Sequence, residues 1–124
     1  METPLNYQQI WAIANATGLD ATLSSPNGMD GCAVPAGVVT HTGGSGGNYI
    51  RVPTGYPGEP NSTIQIESSD WTVLVWTDYE GGLYWTAEAG ASSGTPVPGC
   101  FETTNWSMQI QLANGSVTVG WNSF

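Results

Sequence analysis

The chain almost lacks positive charge. It has no lysine, one arginine (Arg51) and one histidine (His41) against ten Asp and Glu residues, so its formal net charge is −9. Binding to nucleic acid needs a basic surface that neutralises phosphates, and anionic membranes repel an acidic surface. The composition therefore excludes recognition of nucleic acid or anionic lipid through charge, and the absence of lysine excludes a lysine nucleophile.

The chain also lacks long apolar runs. No segment approaches the ~18 apolar residues of a membrane-spanning helix, so no membrane span is predicted. The first four residues carry no basic side chain, and the apolar part of residues 11–16 is too short for a secretory leader. Two interpretations stay open: the protein has no leader, or a leader has been replaced by Met1.

Cysteine is scarce, with only Cys32 and Cys100. Two thiols are too few for a four-ligand zinc site, and we predict neither a metal nor a cofactor. Each cysteine follows a glycine, and this turn context favours a Cys32–Cys100 disulfide over two buried thiols. On the chain-entropy model such a bond would stabilise the fold by about 4 kcal/mol. The disulfide predicts an extracellular, secreted protein, and glycosylation sequons at Asn15, Asn61, Asn105 and Asn114 are compatible with it.

Glycine, proline and asparagine interrupt the chain every few residues, as is typical of all-β domains. We predict a single mainly β domain over residues 1–124, an antiparallel sandwich or barrel-like fold of about seven or eight strands. Thr3-Pro4 as a cap and the helical spacing of Ile10, Trp11 and Ala14 predict an N-terminal helix over about residues 4–17. The alternative is an α+β fold with this helix packed on a curved antiparallel sheet. Strands are predicted at 19–24, 37–42, 48–53, 63–68, 71–77, 83–89, 106–113 and 116–122.

The last two predicted strands form a hairpin around Asn114-Gly115, a type I′ turn sequence. Pairing Ala113 with Ser116 sorts both strands into an apolar and a polar face. The apolar pairs are then Leu112 with Val117, Ile110 with Val119, and Met108 with Trp121, and the polar pairs are Gln111 with Thr118 and Ser107 with Asn122.

A second hairpin turns through residues 78–82. If Trp76 lies opposite Tyr84, one face carries the apolar residues Val73, Val75, Trp85 and Ala87. The other face is mixed, and its two aromatic rings stand next to the polar turn. The predicted ligand site therefore comprises Trp76, Asp78, Tyr79, Glu80 and Tyr84.

Aromatic rings beside carboxylates and amides are suited to sugar binding. The aromatic ring stacks on the apolar face of the sugar, and the hydroxyls of the sugar form hydrogen bonds with the carboxylates and amides. We therefore predict a non-catalytic, lectin-like module that binds a glycan. The alternative is a secreted domain that binds a receptor or another cell-surface protein, since Tyr and Trp are also hot-spot residues of protein interfaces. Self-association into a homo-oligomer stays open, and no catalytic residue is assigned.

The run at residues 43–47 contains four glycines around Ser45. It predicts a flexible loop, or an engineered linker in a circularly permuted chain. It also matches G-x-S-x-G, but that motif acts only on a strand-to-helix turn. The surrounding stretch resembles the segment around the catalytic histidine of fungal guanyl-specific ribonucleases, which are also small and acidic: Val39-Thr40-His41-Thr42-Gly43-Gly44-Ser45-Gly46-Gly47-Asn48. The resemblance implies a small acidic hydrolase that uses His41, although the family's second histidine has no counterpart here.

Carboxylates offer two further interpretations. A pair of them could perform glycoside hydrolysis, although the sequence does not indicate which two approach each other. Asp78 with Glu80, and Asn27 with Asp30, have the oxygen ligands that Ca²⁺ takes, but ordinary turn chemistry explains the same residues.

Overall fold

The computed structural model describes residues 8–26, 31–42, 50–56, 58–79, 82–87, 93–97, 104–113 and 115–123. Their regular elements are strands arranged in two sheets, which confirms the mainly β class. Within these ranges no helix is long and apolar enough to cross a membrane. The strands are β1 Gln8–Ala16, β2 Ala21–Ser24, β3 Cys32–Val34, β4 Val39–His41, β5 Ile50–Arg51, β6 Ile64–Glu67, β7 Thr72–Thr77, β8 Leu83–Ala87, β9 Ser93–Val97, β10 Thr104–Ala113 and β11 Ser116–Ser123.

The first sheet has the order β11-β10-β1-β4, and β5 also pairs with β1. β1 runs parallel to β10 and antiparallel to β4 and β5. The second sheet has the order β3-β2-β6-β7-β8-β9, and each of its neighbouring pairs is antiparallel. Both sheets contribute to one hydrophobic cluster, with Ile10 and Met108 from the first and Leu23, Ile66 and Val73 from the second.

The predicted N-terminal helix is wrong, because residues 8–16 form strand β1. A β-bulge between Ile10 and Ala12 interrupts the pairing of β1 with β10. Gln8 and Ile10 are buried before the bulge, and Ile13 and Asn15 are buried after it. A bulge adds one residue to a period of two, so buried positions become three residues apart at that point. This spacing imitates a helix, and the rest of the predicted helix, residues 4–7, lies outside the described part.

The registers predicted for the two hairpins are confirmed. In β10 and β11, Ala113 lies opposite Ser116, and the apolar and polar pairs follow as expected. In β7 and β8, Trp76 lies opposite Tyr84 and Val75 opposite Trp85. When one face of a hairpin is buried, few alternative pairings are possible, because a shift by one residue would turn every apolar side chain outward.

Besides β1, the strands β3 and β9 were not predicted from the sequence. β3 begins at Cys32, which is half-buried and forms no disulfide with a described residue. The predicted partner Cys100 lies outside the described residues, so the Cys32–Cys100 disulfide stays a prediction.

A buried asparagine connects the two sheets. Asn15, at the end of β1, is 1 % exposed. Its amide nitrogen donates hydrogen bonds to Leu19 O (2.8 Å) and to Val34 O in β3 (2.9 Å). Its amide oxygen accepts from the backbone N–H of Thr17 (3.1 Å) and from the Thr17 hydroxyl (2.8 Å). One side chain therefore joins the first sheet to the edge strand of the second.

Candidate functional site

The predicted aromatic pair is present. The Trp76 and Tyr84 rings are stacked, with centroids 5.8 Å apart and planes inclined by 15°. Trp76 is only 8 % exposed, whereas Tyr84 is half-buried. A ring with so little free surface offers little area to a ligand, so the pair mainly stiffens the β7–β8 hairpin.

The predicted turn residues have different surroundings. Asp78 is buried, and its Oδ1 accepts a hydrogen bond from the backbone N–H of Gly82 (2.8 Å). The backbone N–H of Asp78 also donates to Gly82 O (2.9 Å). These bonds close the turn. Tyr79 is 64 % exposed and points toward another loop, while Glu80 lies outside the described residues.

Tyr79 meets Tyr56 because a short backbone segment runs beside the end of β7. Thr54 and Thr77 form an isolated parallel bridge. The N–H of Thr77 donates to Pro53 O (2.9 Å), and the N–H of Gly55 donates to Thr77 O (2.8 Å). In a parallel pair, residues at equal offsets from a bridge lie side by side. Tyr56 and Tyr79 both stand two residues beyond the bridge, and their ring centroids are 5.3 Å apart.

Glu59 joins the two tyrosines. Its Oε1 accepts one hydrogen bond from the Tyr79 hydroxyl (2.8 Å) and another from the backbone N–H of Tyr56 (2.8 Å). The hydrogen bond to Glu59, followed by desolvation and the charge of the carboxylate, raises the pKa of Tyr79 above its usual value. Tyr79 therefore stays a neutral donor toward Glu59. We call Tyr56, Glu59 and Tyr79 the tyrosine–glutamate cluster.

The loop over residues 55–62 holds this cluster in place. The Ser62 hydroxyl is shared between the carbonyl oxygens of Tyr56 (2.6 Å) and Glu59 (2.8 Å). Gly55 has φ +150°, and a Cβ there would lie 2.8 Å from Glu59 Oε1 and 2.8 Å from the Ser62 Cβ. Asn61 has φ 53°, a left-handed conformation that asparagine adopts more readily than most residues. The sequence of the loop thus permits a compact turn that presents Glu59 to Tyr79.

A polar cleft adjoins the cluster. Its volume is about 450 Å³, within the range of small-ligand sites. Glu59 belongs to both the cleft and the cluster. The lining consists mainly of hydroxyls and amides: Ser24, Ser25, Pro26, Glu59, Asn61, Ser62, Thr63 and Gln65. These groups can both donate and accept hydrogen bonds, and no positive side chain is among them.

Of the predicted site residues, only Tyr79 belongs to this cluster. Tyr56 and Glu59 were missed, although they lie in a segment dense in glycine, proline and asparagine, which predicts a shaped loop. Their proximity to Tyr79 depends on the bridge between Thr54 and Thr77, which are 23 positions apart in the chain. No local pattern carries that information.

The remaining residues singled out in the sequence are His41, the calcium-ligand candidates and the glycine-rich run. His41 is exposed on β4, and its ring centroid lies 5.0 Å from that of Trp11. Asn27, Asp30 and the glycine-rich run at 43–47 lie outside the described residues. In the part of the chain that the structure describes, no group of three or more His, Cys, Asp or Glu residues is placed to hold a metal ion.

Comparison with protein-family models, with curated protein sequences and with solved structures gives no match in any of the three.

Proposed function

We propose that the protein is a non-catalytic carbohydrate-binding module and that its sugar binds at the tyrosine–glutamate cluster and the adjoining polar cleft. The observation that carries the proposal is the exposed pair Tyr56 and Tyr79, 45 % and 64 % exposed, which are both in contact with one carboxylate. Tyrosine rings that lie together at the surface offer an apolar face beside a polar hydroxyl, which suits an amphipathic ligand.

The chemistry of the site suits a sugar on two sides. The phenol rings offer flat apolar surfaces for the C–H face of a pyranose. Glu59 uses Oε1 for both of its hydrogen bonds, and its Oε2 makes none to the described residues. That oxygen can therefore accept from sugar hydroxyls. The amides of Asn61 and Gln65 supply donors and acceptors at the far side of the cleft.

Preorganisation favours specific binding by this site. Glu59 is held by a backbone N–H and a phenol, and its loop is closed by Ser62. A group already fixed in its bound position loses little conformational entropy when the ligand arrives. The Trp76–Tyr84 stack and the hydrogen bonds of the Asp78 turn stabilise the hairpin that carries Tyr79.

Two finer features accompany the proposal. We propose that the two sheets pack face to face as a β-sandwich, supported by the cluster of apolar side chains that both sheets share. We also propose an extracellular location with a Cys32–Cys100 disulfide, which rests on the glycine that precedes each cysteine in the sequence and on the sequons other than that of the buried Asn15.

A glycan array with the wild type, Tyr79→Ala and Glu59→Gln tests the site. Stacking and charge-assisted hydrogen bonds each contribute about 1–2 kcal/mol, so each variant should weaken binding about tenfold. Val38→Ala is the matched control, because Val38 is 49 % exposed and stands next to β4 in the other sheet. It should bind as the wild type does.

Two outcomes would contradict the proposal. If the folded Tyr79→Ala variant binds the same glycan with unchanged affinity, the site is elsewhere. If the wild type binds no glycan, the exposed tyrosines instead favour the rival function, a receptor- or protein-binding domain.

A further inference from the structure

We propose that the free edge of strand β11 is a self-association surface, to which β11 of a second copy of this chain adds in antiparallel orientation. The first sheets of the two copies then form one continuous sheet around a two-fold axis. This surface shares no residue with the tyrosine–glutamate cluster, so the dimer does not depend on sugar binding.

β11 differs from the other strands that lie at the edge of a sheet. Natural edge strands avoid pairing with other chains by being short, by carrying a proline or a charge, or by forming a bulge. β3, β4 and β5 have three residues or fewer, and β9 contains Pro96. β11 has eight residues without proline or charge, and its pairing with β10 contains no bulge. It is therefore the edge best suited to accept another strand.

Hairpin geometry determines which backbone groups face this edge. In a hairpin with a two-residue loop, the residues that flank the loop are hydrogen-bonded to each other, here Ala113 and Ser116. Bonded and non-bonded pairs alternate along antiparallel strands. The N–H and C=O groups of Val117, Val119 and Trp121 therefore point away from β10, and none of the described residues bonds to them there.

The side chains of β11 also match those of a second copy. Val117 and Val119 are buried and Trp121 is half-buried, so all three lie on the face that packs into the hydrophobic core. With the two-fold axis at Val119, Trp121 lies opposite Val117 of the second copy. Aromatic and β-branched residues form favourable cross-strand pairs, and each of these facing pairs shares two backbone hydrogen bonds.

Charge favours contact between copies at this edge. The chain has a net charge of −9, so two copies repel each other overall. Residues 103–124 contain no Asp, Glu, Lys or Arg, so β10 and β11 bring no like charges to the contact. Because a strand edge buries less than the roughly 800 Å² per partner of a standard interface, the dimer should dissociate at micromolar concentrations.

Amide hydrogen exchange, measured by NMR below and above the concentration of dimerisation, tests the proposal. The even-numbered residues of β11, whose N–H groups face β10, should be protected at every concentration. The N–H groups of Val117, Val119 and Trp121 should exchange rapidly in the monomer and about tenfold more slowly once sedimentation shows a dimer. Protection of these three groups in the monomer would show that the edge is covered within the chain. Exchange that stays rapid at every concentration would show that no second copy binds, and either result overturns the proposal.

Val119→Pro and Val119→Ala form a matched pair of variants. Both replace a buried valine side chain, but only proline removes the N–H that bonds at the two-fold axis. Edge strands accept proline where the N–H faces outward. Sedimentation should show that Val119→Pro dimerises about tenfold more weakly than Val119→Ala, whereas equal affinity of the two folded variants would contradict pairing through the backbone. If Val119→Pro does not fold, the exchange pattern of the wild type still decides the question.

Discussion

Replacing Asn15 by alanine should strongly destabilise the fold. The side chain is 1 % exposed, and both N–H donors and both acceptor positions of its amide make hydrogen bonds. Truncation leaves the carbonyl oxygens of Leu19 and Val34 and the N–H of Thr17 without this partner. Because Val34 belongs to the second sheet and Asn15 to the first, the loss also removes a hydrogen bond between the two sheets.

The magnitude follows from the hydrogen bonds lost. A typical intramolecular hydrogen bond contributes about 1 kcal/mol net, and a buried group left unsatisfied costs about 1–3 kcal/mol. Some of the freed groups will reach water, so we expect a loss of about 3 kcal/mol. Small domains are stable by only about 5–15 kcal/mol, which makes this a large fraction of the total.

Urea denaturation followed by tryptophan fluorescence measures the change, with an unchanged m-value as the sign that the unfolded state is the same. Asn122→Ala is the matched control, because Asn122 is exposed on β11, and it should alter stability by less than about 0.5 kcal/mol. Asn15→Asp keeps the shape but loses both N–H donors, so it should destabilise at least as much as alanine. A loss equal to that of the control would refute the role given to this network.

Three further outcomes are expected. Gly55→Ala should abolish glycan binding while a cooperative unfolding transition remains, because its Cβ would lie 2.8 Å from Glu59 Oε1; unchanged binding in a titration would contradict this. The raised pKa of Tyr79 means that its contribution to stability is complete below about pH 10 and disappears as pH rises through the folded-state pKa. In Glu59→Gln, NMR titration should show that pKa moving back toward its usual value. When the native protein is alkylated without reduction, intact mass should show no label on Cys32 or Cys100. Two labelled thiols would exclude the disulfide.

The alternation of apolar and polar residues along each strand allowed the β7–β8 and β10–β11 hairpins to be predicted with their registers. Each has a turn signal within a few residues of both strands, and only one pairing buries an apolar face. Most other strands were also predicted, because glycine, proline and asparagine mark their ends. These features depend on neighbours in the chain, so the sequence alone contains the necessary information.

Tertiary structure decided the rest. β1 is a strand because it lies between β10 on one side and β4 and β5 on the other, and its bulge gave the sequence a helical spacing. The burial of Trp76 and the contact of Tyr79 with Tyr56 and Glu59 likewise depend on residues far away in the chain. Side chains join a site when backbone hydrogen bonds bring distant segments together, and a local pattern of residue types does not encode which segments meet.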